Sequence, residues 1–292
     1  MSLILQTIAD GLVLGGLYSL AAVGFSLIFG VMNVVNLSHG VLVLIGAYLG
    51  YLLWQAFGID PLLAIPVVML ILFAFGYGYQ RGIIQLAVDR SSLLASMLVT
   101  FGVALVLRNI LVLVFSPDFK SVTPSYAFTS LSFGGVTLDL VRIIALGASL
   151  ALLSLLTAVL RWTAMGRVIR ATAQQELAAR LSGVDARHVY ALTFGVSAAF
   201  AGASGVILGI VVPFAPPDEA IWTLNAFVVV TLGGVGSPAG ALVGGLLLGL
   251  ISTFTSQFIG PAFPNAMMFL ILVLMLLLRP SGLLGNAFSG SR

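Results

Sequence analysis

Long apolar runs separated by brief polar joints dominate this chain. The runs cover residues 8–29, 41–57, 62–79, 93–115, 140–160, 189–212, 221–232, 239–258 and 266–278. Most approach the ~20 residues that a helix needs to cross a bilayer. A membrane β-barrel would instead show short segments alternating with period two. The predicted architecture is all-α: a polytopic integral membrane protein, one transmembrane domain over residues 1–292, with eight or nine transmembrane helices. The count is open because 221–232 is short enough to be re-entrant.

Composition agrees with that pattern. Charged residues make up 7% of the chain and mean hydropathy is +1.19, against roughly 25% charged in soluble domains. The 33 glycines suit close helix–helix packing in lipid. Cysteine is absent, which removes disulfides, thiolate nucleophiles and cysteine-based zinc sites. The net charge of +3 sits in loops and is read as orientation, not as nucleic-acid binding. The first apolar run lacks a basic leader, so it is expected to stay as a membrane helix.

One polar stretch is long, residues 161–190. It holds five arginines (Arg161, Arg167, Arg170, Arg180, Arg187) against Glu176 and Asp185. Basic loops stay on the cytoplasmic side, so a cytoplasmic loop at about 161–188 is expected. Arg81, Arg90 and Arg279 are expected on the same side. Counting back places the N-terminus and an outer loop at about 116–139 outside. In that loop Phe133-Gly134-Gly135-Val136 predicts a small hairpin. Nine spans put the first four and the last four in opposite orientation around the fifth, which suits an inverted repeat.

Two joints break the apolar pattern. One holds Asn33, Asn36, Ser38 and His39; the other holds Gly233, Gly234, Gly236 and Ser237. Irregular backbone at membrane depth is tolerated only where protein buries it or where it lines a wet cavity. Both joints are therefore candidates for a translocation path, with ordinary surface turns as the alternative. Within the basic stretch, Ala173 to Leu181 are good helix formers. Gly183 suits a helix C-cap and Asp185 an N-cap. Leu177, Leu181 and Val184 give this segment an apolar edge. It either lies on the headgroups or docks into a cytoplasmic partner.

Several chemistries are excluded. The P-loop needs a lysine after its glycines, and the single lysine, Lys120, lies in the outer loop without them. Gly202-Ala203-Ser204-Gly205 matches the GxSG of intramembrane serine proteases. That chemistry needs a histidine within reach of the serine, and none follows Ser204; His39 and His188 are the two present. Ala198, Ala201, Ala203, Gly205 and Gly209 instead suggest a packing face of small residues. No metal or other cofactor is expected. Asp10 and Arg108 are charges in or near spans; both fall toward the outer leaflet, where they are placed to pair, with snorkelling of Arg108 as the alternative.

The ordered motifs resemble the membrane permeases of branched-chain amino acid ABC importers, the LivH side of the LivH/LivM pair. They are Gly15-Gly16-Leu17-Tyr18-Ser19-Leu20, Gly30-Val31-Met32-Asn33, Asn36-Leu37-Ser38-His39-Gly40, Gly46-Ala47-Tyr48, Thr100-Phe101-Gly102 and Arg108-Asn109. The block 166–205, the glycine-rich 232–245 and the terminal Arg279-Pro280-Ser281-Gly282-Leu283-Leu284-Gly285 follow. Leu37-Ser38 replaces the commoner Phe-Ala, and Arg108 stands where glutamine is usual. The resemblance implies a non-enzymatic permease subunit for branched-chain or other hydrophobic amino acids in a bacterial inner membrane. It implies as partners a second, LivM-like permease subunit, two cytoplasmic ATP-binding subunits, a soluble substrate-binding protein and membrane lipid, with no nucleic acid. Relatives carry urea, short amides and aromatic acids. Glu176, Ala178, Ala179, Arg180, Leu181 and Gly183 resemble the coupling loop through which such permeases meet their ATPases. The rival class is an ion-coupled secondary transporter or channel, which would want Asp or Glu at the bilayer midplane; Asp10 lies near a span end and the other acids in loops.

Overall fold

The computed structural model describes residues 2–88, 93–133, 136–279 and 281–284. Arg90, Gly134, Gly135, Pro280 and Gly285 lie outside the described residues. The apolar runs become α1 (Ser2–Met32), α2 (His39–Phe57) and α3 (Pro61–Tyr79), the last continuing through a π-turn at Gln80–Ile84 into α4 (Gln85–Val88). Then come α5 (Leu93–Phe115), α6 (Leu140–Trp162), α7 (Ala164–Gln174), α8 (Glu176–Leu181) and α9 (Ala186–Val211). The chain closes with α10 (Glu219–Gly233), α11 (Pro238–Phe258) and α12 (Pro264–Leu278). Local chemistry sets the helix ends. Asp60 caps α3 by accepting from Leu62 N–H at 2.9 Å, and Ser237 caps α11 by accepting from Gly240 N–H at 3.0 Å. Each cap precedes a proline at the first helical position, where the missing N–H costs nothing.

Among the described residues, seven helices are long and apolar enough to cross a membrane: α1, α2, α3 with its extension, α5, α6, α9 and α11. Eight or nine were expected. The remaining two candidates, α10 and α12, are present at the expected places but hold 15 residues each, about 22 Å of helix. The hairpin expected in the outer loop forms, with β1 (Ser130–Phe133) pairing β2 (Val136–Asp139) in antiparallel register, Leu131 opposite Leu138.

α1 and α9 are the most buried spans, and the rest of the bundle packs on them. α1 runs antiparallel to α11: Gly249 meets Gly15, and Gly245 meets Ser19. α9 stands in the same relation to α3, with Gly202 against Leu72 and Gly76 against Ala198. α10 runs parallel to α1, with Trp222 beside Tyr18 and Phe227 beside Phe25. α2 runs parallel to α9, with Gly46 on Gly202 and Gly50 on Val206. The relations of α1 with α10 and α11 are thus repeated by α9 with α2 and α3. That reciprocity is what an inverted repeat requires.

The two sides of the bundle are tied separately. Gln6 bonds both the N–H and the carbonyl of Thr137, at 2.9 and 2.8 Å, so the N-terminus sits with the hairpin. Lys120 pairs with Phe214 in an antiparallel bridge on that side. On the other side, Leu283 N–H and Leu284 N–H donate to the carbonyls of Leu232 and Gly233. Asp10 does not pair with Arg108, as its sequence position allowed. It pairs with Arg142 on α6, which also reaches Asp139 at 3.3 Å; α6 runs parallel beside α1 and brings Arg142 to the right depth.

The close approach of α2 and α9 leaves no room for a β-carbon at Gly46, which rests on the Gly202 backbone. Gly46→Val is expected to lower stability by about 1–3 kcal/mol through overpacking. Gly78→Ala, in open space on α3, should be neutral. Thermal unfolding in detergent checks both; equal melting points for the two variants would refute the packing argument.

Candidate functional site

The first joint is a re-entrant segment. α1 ends at Met32, and Asn33 takes a positive φ of 51° that turns the chain back. His39 then lies beside Ala21, with Nε2 2.6 Å from its carbonyl oxygen. Ala21 is 11 residues before Met32, about 16 Å along the helix at 1.5 Å per residue. Residues 33–38 therefore climb back beside α1, and α2 starts inside the bundle. α10 also starts inside it, after an extended stretch and a short 3₁₀ turn at Pro216–Asp218. The two helix N-termini meet. Gly40 lies on the carbonyl of Glu219, where a side chain has no room, and Gly40 N–H donates to Thr223 Oγ1 at 2.9 Å.

Every backbone N–H from Leu37 to Gly40 finds an acceptor there. Leu37 N–H donates to Thr100 Oγ1 at 3.1 Å, and Ser38 N–H to Asn36 Oδ1 at 3.0 Å. His39 N–H reaches the Asn36 carbonyl at 3.3 Å. Ser38 Oγ sits 2.6 Å from Asn36 Oδ1, as donor, and 3.1 Å from Tyr79 OH. Because a carbonyl only accepts, the short contact to Ala21 puts the His39 proton on Nε2. Among the described residues, Nδ1 of His39 and Nδ2 of Asn36 are buried with no partner, so this polar cluster is incomplete. Unsatisfied buried groups of this kind are few in proteins and call for an explanation.

The second joint lies at the opposite end of α10. Gly234 ends that helix at φ 104°, Gly236 N–H donates to Ser26 Oγ at 3.0 Å, and Gly30 of α1 abuts Gly236. Gly233, Gly234, Gly236 and Ser237 are buried, whereas Val235 is exposed. Of the first joint's residues, Asn33 is exposed and Asn36, Ser38 and His39 are fully buried. In this conformation the joints are therefore two separate places. Residues 33–38 start near the second joint and end at the far end of α10. The sequence reading missed Thr100, Thr223, Tyr79 and Glu219. Pro216-Pro217, a break like the other two, was the available signal.

The arginine-rich segment folds as two helices, not one. Gln175, at φ −155° and ψ 98°, interrupts the helix expected over Ala173 to Leu181 and separates α7 from α8. α7 is sharply two-faced: Gly166, Ile169 and Thr172 are buried, while Arg167 is exposed. α8 closes in a Schellman motif, with Val184 N–H on the Ala179 carbonyl, Gly183 N–H on the Arg180 carbonyl and Gly183 at φ 86°. Asp185 caps α9 by accepting from Arg187 and His188 N–H. Glu176 pairs with Arg180 one turn on. Ala179 is buried, Ala178 and Arg180 are exposed, and Leu177 and Leu181 stand 66% and 82% exposed.

A protease reading finds no support. Ser204 is buried and its Oγ has no partner among the described residues. His39 is engaged with Ala21 and His188 with Tyr77 at 3.0 Å. No group of metal-ligating side chains occurs among the described residues.

The family model described as the branched-chain amino acid transport system permease component matches residues 7–278. The high-affinity branched-chain amino acid transport system permease protein BraD of Pseudomonas aeruginosa is 29% identical, over 97% of this chain and 96% of its own length. The permease protein LivH of Escherichia coli (strain K12) is 31% identical over 97% and 96%. LivM of the same organism is 26% identical over 92% of this chain and 68% of its own length. No solved structure matches the chain.

Thr223→Val keeps the side-chain shape but leaves Gly40 N–H without its acceptor. A loss of about 1–3 kcal/mol in stability is expected, the penalty for one stranded buried donor. An unchanged unfolding midpoint would show that the helix junction does not depend on this bond.

Proposed function

The chain belongs to the permease component family of the branched-chain amino acid transport system, and from that premise we propose how it works. It is a multi-pass membrane transport subunit, not an enzyme. Its cargo is a branched-chain or other hydrophobic amino acid, and its membrane is the bacterial inner membrane. ATP is bound by two cytoplasmic subunits, a LivM-like second permease completes the path, and a soluble binding protein delivers the solute from outside. The observation that carries the partner assignment is α8: Leu177 and Leu181 stand exposed at the tip of the basic segment, held there by the Schellman turn.

In this reading α8, through Glu176, Ala178, Ala179, Arg180, Leu181 and Gly183, docks on an ATP-binding subunit. α7 carries its displacement to α1, on which it packs. α1 bears both joints, through Ala21 against His39 and Gly30 against Gly236. ATP binding on a partner shifts the balance between closed and open junctions through differential contacts at α8. The path residues are Asn33, Asn36, Ser38, His39, Gly233, Gly234, Gly236 and Ser237. Their uncharged polar groups bind a solute without trapping it.

Gly183 occupies the left-handed region at φ 86°, which a β-branched residue adopts only with strain. Gly183→Val is expected to abolish solute-stimulated ATP hydrolysis in the reconstituted transporter while leaving the subunit in the membrane. Wild-type stimulation in that variant would count against docking through α8.

The absence of native cysteine allows a direct probe of the path. Single cysteines at Asn36, Ser38 and Ser237 should resist polar thiol reagents in the resting transporter and become labelled when ATP or loaded binding protein is added. Positions that stay inert in every state while transport continues would place the path elsewhere.

A further inference from the structure

One charged pair has no role in that account. Arg108 on α5 approaches Glu219, the first residue of α10, with 3.8 Å between Nη1 and Oε1. That is too long for a hydrogen bond. The two side chains are unequally sealed, 7% exposed for Glu219 and 35% for Arg108. Glu219 is the one polar partner of Arg108 among the described residues, so most of the five guanidinium N–H donors are unused. Arg108 lies seven residues before the end of α5, about 10 Å inside it. Asn109 beside it is exposed. Lipid is a costly neighbour for a charge at such depth, and the approach to Glu219 turns the Arg108 head group toward the protein.

The surroundings of the pair point to a ligand. The N-termini of α2 and α10, both starting inside the bundle, converge at Gly40 and Glu219. Each end carries partial positive charge, and broken helices in transporters aim such ends at anionic groups of the solute. Independently, Asn36 Nδ2 and His39 Nδ1 next to this junction are fully buried and have no partner among the described residues. The cluster thus offers unused hydrogen-bonding groups next to a loosely held charge pair.

We propose that Arg108 and Glu219 form a binding pair for the two charges of a zwitterionic amino acid in the path. The proposal rests on the permease reading and adds the chemistry of recognition. The solute's carboxylate takes two parallel N–H donors of Arg108, and its ammonium group faces the Glu219 carboxylate. Without solute, Glu219 is the loose counter-ion of Arg108. The solute thus replaces a 3.8 Å contact with hydrogen-bonded ones. Asn36 and His39 then supply a donor and an acceptor deeper along the same route, as solute leaves the pair. The side chain of the amino acid takes no part, so the pair is this chain's own means of holding a zwitterion where glutamine is usual in the family, and discrimination among amino acids lies elsewhere.

A double-mutant cycle in the complete reconstituted transporter separates this role from a structural one. Uptake of radiolabelled L-leucine is measured at saturating loaded binding protein for wild type, Arg108→Gln, Glu219→Gln and the double variant, with assembly checked by co-purification of the ATP-binding subunits. If the pair binds solute, each single variant slows uptake about tenfold or more, as loss of a charge-assisted hydrogen bond implies, and the double variant is at least as slow. If the pair only holds helices together, the double variant removes both charges and recovers uptake; that recovery overturns the proposal, as does wild-type uptake in Arg108→Gln. If Arg108→Gln fails to assemble, Arg108→Lys keeps the charge but loses the planar fork. Slowed uptake in that variant supports solute binding, and unchanged uptake overturns it. Failure of the wild-type assembly to import leucine with ATP would refute the permease reading itself, a result distinct from any outcome of the cycle.

Discussion

A bilayer offers its interior no water, so every backbone N–H and C=O at that depth must find a partner within the protein. That constraint explains why the two places where helices start inside the bundle are built as they are. Residues 33–38 run back beside α1, where Thr100 and Asn36 accept the N–H groups of Leu37 and Ser38, and Thr223 accepts that of Gly40 in the first turn of α2. The six-residue segment is tolerated because α5 and α10 each present a threonine to it. The glycine at position 40 lets the α10 backbone come close enough for Thr223 to do so.

The same constraint links structure to transport. A junction whose backbone is satisfied by a few side chains has two ways to be satisfied: by those side chains or by water and solute. α1 forms contacts with both joints and with α7, so in the proposed coupling scheme a displacement of α8 by a partner reaches both. α9, the other central helix, is held by small residues against α2 and α3, with Gly202 and Gly205 in backbone contact. Small residues permit such closeness without the hydrophobic driving force that water would supply. The packing relations of α1 recur around α9, so the two halves share one scheme in opposite orientation. Asp60-Pro61 after α2 matches Ser237-Pro238 after α10.

Much of this was legible in the sequence, for local reasons. Apolar run lengths gave the seven spans of the described residues and the shorter α10 and α12, and cap chemistry gave the ends at Gly183 and Asp185. The hairpin at β1 and β2 followed from turn residues flanked by apolar ones. What the sequence could not carry was long-range. Whether Asp10 pairs with Arg108 or Arg142 depends on which helix lies beside α1. The partition of Ala173 to Leu181 into two helices depends on Gln175, which is a fair helix former taken alone. Thr100 and Thr223 sit in apolar runs and Glu219 just before one, and their importance arises from partners more than 60 residues away.

The central claim is that α2 and α10 begin inside the membrane at a junction sealed at rest and opened in transport. Hydrogen exchange at the amides of Leu37 to Gly40 in the assembled transporter tests it most directly. Exchange as slow as in the core of α9 without nucleotide, rising when ATP and loaded binding protein are present, is the predicted result. Exchange as fast as in the outer loop in every state would mean that residues 33–38 form an ordinary surface turn, and would contradict the account.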